Sequence, residues 1–219
     1  MKHLASKALI ALTFLTYSLS SLAFEDPKIH LETVTQKIST EILNNKEKIK
    51  TDSEYAKSLI RDYLLPEVDS EYMAKRILGK TYWTQATAEQ REKFIKEFIG
   101  LLLNSYSKGL ANYDGQPITY DDTQYSKSGN LANVRSTIQP NEGEPIIIDY
   151  RLKVQPDETW LVTDVIIEGV SMAKSYANQY REQISKVGLE ETLKQLEAEN
   201  QRAKEATEIS DVNETGDNS

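Results

Sequence analysis

Carboxylates are the residues best placed to do chemistry. Asp121, Asp122, Asp149, Asp164 and Glu168 fall in or near stretches of strand character. Two acids facing one cleft, with a tyrosine beside them, are the equipment of general acid–base catalysis. By simple alternation Asp164 and Glu168 share one face of their strand, whereas the adjacent Asp121 and Asp122 point to opposite faces and form no dyad. The competing reading makes Asp164 and Glu168 surface acids paired with Lys153 or Arg151 on a neighbouring strand. His30 sits in the first turns of an amphipathic helix and reads as a partly solvated structural histidine. The chain has no cysteine, which removes thiol chemistry and conventional zinc sites. No glycine loop of the phosphate-cradling kind and no calcium loop is present. The pattern offers no metal site and no cofactor fingerprint.

The elements that would position these acids follow from periodicity. Pro27–Asn45 is amphipathic, with Ile29, Val34, Ile38 and Ile42 on one side. Thr51-Asp52-Ser53 supplies caps for a second helix through Tyr55, Leu59, Tyr63 and Leu64, and Pro66 stops it. Asp69 or Ser70 caps a third through Met73, Ile77 and Leu78 to Gly79. Thr87 and Gln90 have capping-box spacing and launch a long helix over Ala88–Tyr113. Four strands follow, Ile118–Tyr125, Leu131–Gln139, Pro145–Gln155 and Thr159–Glu168, joined by short polar turns. That order reads as an antiparallel meander. In the third strand Ile146, Ile148, Tyr150, Leu152 and Val154 share a face. In the fourth, Leu161, Val165 and Ile167 oppose Trp160, Val162 and Ile166. Helical period returns from Gly169, breaks at Gly188 and ends near Glu199. The fold class is α+β: a four-stranded antiparallel meander wrapped by N- and C-terminal helices.

The Ala88–Tyr113 helix is apolar on too many sides. Phe94, Phe98, Leu102 and Tyr106 form one stripe, and Ile95, Ile99, Leu103 and Leu110 form its neighbour, wider than an ordinary surface helix buries. The chain as a whole is polar, with a mean hydropathy of -0.54. More protein, a membrane or an apolar ligand must cover the surplus. Twelve tyrosines against four phenylalanines suit surfaces that are half apolar and half wet, such as a pocket mouth.

Met1–Ala23 has the layout of a secretory signal peptide: Lys2 and Lys7, an apolar run from Ala8 to Leu19, and small residues Ser21 and Ala23 before the expected cleavage point. Residues 24–199 read as a single domain and residues 200–219 as a disordered acidic tail. Losing Lys2 and Lys7 takes the formal charge from -8 to -10, which disfavours non-specific nucleic-acid binding.

Three ordered motifs resemble the MlaC family of periplasmic phospholipid-binding proteins, which includes the toluene-tolerance proteins. They are Leu64-Leu65-Pro66; the run from Leu78-Gly79-Lys80-Thr81-Tyr82-Trp83 through Phe94, Phe98, Leu102 and Tyr106 to Tyr113-Asp114-Gly115; and Ile167-Glu168-Gly169-Val170-Ser171-Met172. The likeness spans about Pro27 to Glu199. It implies a carrier without catalysis in the periplasm, moving phospholipid between an outer-membrane lipoprotein–porin complex and an inner-membrane ABC transporter to maintain outer-membrane lipid asymmetry. It also implies a lipid pocket between sheet and helices. The expected walls for the acyl chains are Phe94, Phe98, Leu102 and Tyr106 from the long helix, and Ile146, Ile148, Tyr150, Val165 and Ile167 from the sheet. Val170 and Met172 complete them, so that Val170→Glu is expected to lower lipid occupancy. Burial against lipid and burial against protein read alike in sequence. The alternative remains a small envelope enzyme of conical α+β fold using Asp164 or Glu168 as general base.

Overall fold

A computed structural model describes residues 25–216, with side chains described as far as residue 206. The expected signal peptide and its cleavage point lie outside the described residues. The chain runs α1 (Pro27–Asn44), α2 (Lys46–Thr51) and α3 (Ser53–Leu59), then a π-helical turn (Ile60–Leu64) and a 3-10 turn (Leu65–Glu67). Then come α4 (Ser70–Gln85), α5 (Ala88–Tyr106) and a 3-10 stretch (Ser107–Asn112). The strands are β1 (Ile118–Tyr120), β2 (Gln124–Tyr125), β3 (Leu131–Ile138), β4 (Ile146–Val154), β5 (Trp160–Ile167) and β6 (Val170–Ser171). Helices α6 (Met172–Val187) and α7 (Leu189–Gly216) close the described chain.

Local signals start the helices where their residue types demand it. Asp52 and Asp69 accept the Tyr55 and Tyr72 amides at α3 and α4. Thr87 and Gln90 exchange side-chain-to-backbone bonds at α5, a complete capping box that satisfies two otherwise orphaned amides. Gly79 breaks α4 as expected, at φ 74°, but helix resumes beyond it to Gln85. The freed carbonyls of Arg76 and Ile77 accept from the Arg181 guanidinium of α6. That guanidinium leaves no room for a side chain at Gly79.

The sheet corrects the four-strand expectation. Among the described residues it has six antiparallel strands in the order β1-β3-β4-β5-β6, with β2 also paired to β3. The expected first strand splits because Asp122 and Thr123 leave it to hold the start of α1. Lys28 Nζ lies 3.0 Å from Asp122, and the Thr123 hydroxyl donates to Asp26. Strand β6 forms where a helix start was expected. Glu168 and Gly169 both take positive φ, the pattern of a two-residue type I′ hairpin turn.

Helix α7 corrects the tail. It continues to Gly216 rather than ending near Glu199. Asn200, read as the start of disorder, docks instead: its amide donates to the Glu97 carbonyl and carboxylate, and its carbonyl accepts from Asn104. Gly100 allows this close approach, since a Cβ there would fall 2.8 Å from the Asn200 amide. Gln201 to Ala206 are good helix formers, and Gln201 adds an i,i+4 bond to Glu205.

Asp26 is the polar hub joining α1 to β2. It caps α1 through the Lys28 amide and accepts from Thr123 and from Tyr125, the latter at 3.0 Å. Burial pushes its carboxyl up, but these bonds outweigh that and hold it below the ordinary value of 3.8. The paired Arg135 guanidinium likewise lowers Asp149. A lowered folded value means stability that is complete above the ordinary carboxyl value and lost as pH falls through the folded one. Chemical denaturation at pH 3 and pH 7 is expected to show an acid loss in the wild type. The loss should be smaller in Asp26→Asn/Asp149→Asn, and an equal loss in both would remove these acids from the account.

Candidate apolar cavity

Three apolar clusters build the core and meet around one space. The first packs α4 (Met73, Ile77, Leu78) with Phe94 and Phe98 of α5, Tyr180 of α6 and Leu193 of α7. The second lays Leu31 of α1 on the sheet face bearing Val134, Leu152, Trp160 and Val162. The third joins the end of α1 to α2 and α3 through Ile42, Ile49 and Leu59. Between them lies a cavity of about 390 Å³. Packed cores leave few voids larger than a water, so a space of this size is a built feature.

The width of α5 is accounted for here. Both of its stripes reach the cavity: Phe98, Leu102 and Tyr106 from one, Ile95, Ile99 and Leu103 from the other. The sheet contributes Tyr150, Val162, Val165 and Ile167, and α6 contributes Met172 and Tyr176. Helix α1 adds Leu31 and Val34, the π-helical turn adds Ile60 and Leu64, and Leu65, Val68 and Met73 close that side. Tyr106 is 43% exposed and marks where the cavity opens.

A β-bulge decides which residues of β5 face this space. Arg151 pairs with Asp164 but Leu152 pairs with Val162, so Thr163 is an extra residue. Its hydroxyl donates to the Arg151 carbonyl. The bulge restarts the alternation and brings Trp160 and Val162 onto the same face as Val165 and Ile167. Unbroken alternation had set them apart.

Asp164, next in the chain to Val165, takes the opposite face, away from the cavity. Asp164 is not the surface acid that one reading required: it is fully buried. Ser171 donates to it at 2.7 Å and the Ala173 amide at 3.1 Å, so it anchors the start of α6. The guanidiniums of Arg76 and Arg151 stand 3.5 and 3.6 Å from it. Glu168 lies in the exposed β5–β6 turn, and its carboxylate accepts the Ile147 amide. The two acids follow one face of the strand, but one is buried at the start of α6 and the other sits in an exposed turn, so they share no pocket and form no acid–base pair. Arg135 is a bidentate partner of Asp149 at 2.9 and 3.0 Å. His30 Nε2 lies 2.5 Å from Glu67 Oε2. Among the described residues no cluster of His, Cys, Asp or Glu is arranged to hold a metal ion.

Seven of the expected wall residues therefore line the cavity: Phe98, Leu102, Tyr106, Tyr150, Val165, Ile167 and Met172. Four do not, and are corrected. Phe94 is fully buried in the helical core, stacked on Phe98 and edge-on to Tyr180, one turn too far from the opening. Val170 is 56% exposed and Ile146 is 38% exposed. Ile148 pairs with Ile167 but does not reach the lining. Alternation gave Ile146 and Ile148 the right sheet face and was silent about where helical cover stops; Val170 was expected on the helix that follows and stands instead in β6. The missed Ile95, Ile99 and Val34 already stood in apolar stripes. Ile60 and Leu64 also stood in an expected helix, and only the π-helical form of that turn had no local signal.

Fold and site together define an α+β domain of helices wrapped on an antiparallel sheet around a deep apolar chamber. A family model described as MlaC protein matches residues 32–198. The chain belongs to the MlaC family. It is 30% identical over 188 residues to the intermembrane phospholipid transport system binding protein MlaC of Haemophilus influenzae, covering 85% of this chain and 87% of that one. The toluene tolerance protein ttg2D of Pseudomonas putida is 26% identical over 196 residues, covering 89% and 90%. The solved structure of a phospholipid-binding protein from Ralstonia solanacearum in complex with a phospholipid superposes with a TM-score of 0.74 at 27% identity. It covers 81% of this chain and 98% of that one.

Proposed function

We propose that this chain is an exported phospholipid carrier of the periplasm, with residues 24–199 as its lipid-binding domain after cleavage behind Ala23. It holds acyl chains in the cavity and passes them between an outer-membrane lipoprotein–porin complex and an inner-membrane ABC transporter, maintaining outer-membrane lipid asymmetry. No catalysis and no cofactor enter this reading.

The cavity is the observation that carries it. At roughly 24 cal/mol per Å³, keeping 390 Å³ of apolar space forgoes on the order of 9 kcal/mol of packing. That is comparable with the whole stability of a domain, ~5–15 kcal/mol. Acyl chains restore it, at about 0.8 kcal/mol for each buried CH₂. Few polar groups line the space, and Thr35 and Glu67 among them are bonded to Tyr120 and His30. A wall with no buried charge left unpaired suits hydrocarbon. The family membership and the phospholipid held by the Ralstonia solanacearum relative support the same reading.

Native mass spectrometry of protein purified from the cell envelope is expected to show bound phospholipid. Lipid-free protein from that source would overturn the proposal. Val170 lies outside the lining, so Val170→Glu is expected to keep wild-type occupancy, contrary to the sequence-based expectation. A loss of lipid in that variant would put Val170 back in the pathway.

A further inference from the structure

Where the cavity opens, its wall carries two tyrosines whose hydroxyls are nearly unspent. Tyr106 comes from α5 and Tyr176 from α6. These two helices pack chiefly against α7 and α4 respectively. Aromatic rings fill the seam between them. Phe98 meets Tyr176 edge-on at 4.9 Å, Tyr176 stacks on Tyr180 at 6.4 Å, and the column ends at the opening with Tyr106. The Tyr106 and Tyr176 hydroxyls are 3.4 Å apart, at the outer limit of an O–H···O bond, whose usual length is about 2.7–2.8 Å. Of the other polar groups with an edge on the cavity, Thr35 bonds Tyr120 at 2.6 Å and Glu67 bonds His30, while the Tyr150 hydroxyl has Ser136 at 3.4 Å.

Resting on the carrier reading above, we propose that the Tyr106 and Tyr176 hydroxyls together donate to a phosphate oxygen of the bound phospholipid and so hold its head at the opening. A separation of 3.4 Å lets a single oxygen sit between the two hydroxyls at normal hydrogen-bond distance from each. An anionic acceptor strengthens both bonds. Burial first, and then the Tyr106 hydroxyl, push Tyr176 well above the ordinary tyrosine range, so it stays a protonated donor. Neutral donors recognise the phosphate common to phospholipids and leave the variable head alcohol in water. The tyrosines thus select for a phosphate at the head of the acyl chains without selecting among head groups.

The test compares the mature wild-type chain with Tyr106→Phe/Tyr176→Phe, which keeps both rings and the seam. Each is loaded with phosphatidylglycerol or with a diacylglycerol of the same chains, and release to phosphatidylcholine vesicles is timed. In the double variant phosphatidylglycerol is expected to leave at least about tenfold faster, since losing even one charge-assisted hydrogen bond gives that factor and this variant loses two. Diacylglycerol release should be unchanged. The single Tyr106→Phe variant, altered at an exposed position, should move the same way by a smaller factor. An unchanged phosphatidylglycerol rate overturns the proposal. So does an equal acceleration of both lipids, which would mark a loosened seam. Inorganic phosphate alone should not bind; tyrosine-dependent binding of it would make this a free-phosphate site and overturn the lipid assignment. A wild-type chain that takes up neither lipid would sink the carrier reading itself, not only the role of the tyrosines.

Discussion

Leu102→Glu is expected to empty the protein of lipid while leaving it folded. Leu102 stands on the cavity side of α5, midway between Phe98 in the packed end and Tyr106 at the opening. It is only partly buried against protein, so a longer polar side chain has space to occupy. With hydrocarbon in the cavity the new carboxylate would be desolvated without a partner, which costs several kcal/mol. Every 1.4 kcal/mol is a factor of ten in affinity, so occupancy should fall by roughly a hundredfold or more. Native mass spectrometry reads the occupancy, and thermal unfolding checks the fold. Leu102→Met, which keeps volume and polarity, should retain wild-type lipid. Full occupancy in the glutamate variant would show that lipid lies elsewhere.

Asp164→Ala is expected to destabilise the fold by about 3 kcal/mol, the scale of losing a buried, hydrogen-bonded charge. The carboxylate is fully buried and receives the Ser171 hydroxyl and the Ala173 amide. Removing it leaves that amide at the start of α6 without its acceptor. It also leaves Arg76 and Arg151, both partly exposed, without the anion they flank. Because α6 supplies Met172 and Tyr176 to the cavity, a frayed start of this helix should also lower lipid retention. Asp164→Asn keeps the shape and one acceptor oxygen and should fall between wild type and alanine. Urea unfolding gives the comparison. A catalytic base would behave otherwise, with activity lost and stability kept or raised, so wild-type stability in the alanine variant would reopen the enzyme reading.

Features written in neighbouring residues were legible. Asp52, Asp69 and the Thr87–Gln90 pair sit within one helical turn of the amides they cap. The alternation in β4 gave the correct inner face, and the unusual width of α5 correctly signalled something beyond ordinary packing. Features that depend on distant partners were not. The bulge at Thr163 answers to β4, and the split between β1 and β2 answers to α1 through Asp26 and Lys28. The continuation of α7 answers to Gly100 and Glu97 of α5. None of these leaves a periodic trace in its own segment.

The sequence by itself determined most helix starts, the inner face of β4, the lack of thiol chemistry and the likeness to the MlaC family. Tertiary structure alone decided which apolar residues touch protein and which border the cavity. It packed Phe94 into the helical core and left Leu102, two turns along the same stripe, on the chamber wall. The reason is that the hydrophobic effect counts area removed from water and is indifferent to what replaces the water. A residue pressed against leucine and one facing an acyl chain are selected by the same free energy, and only the positions of their neighbours tell them apart.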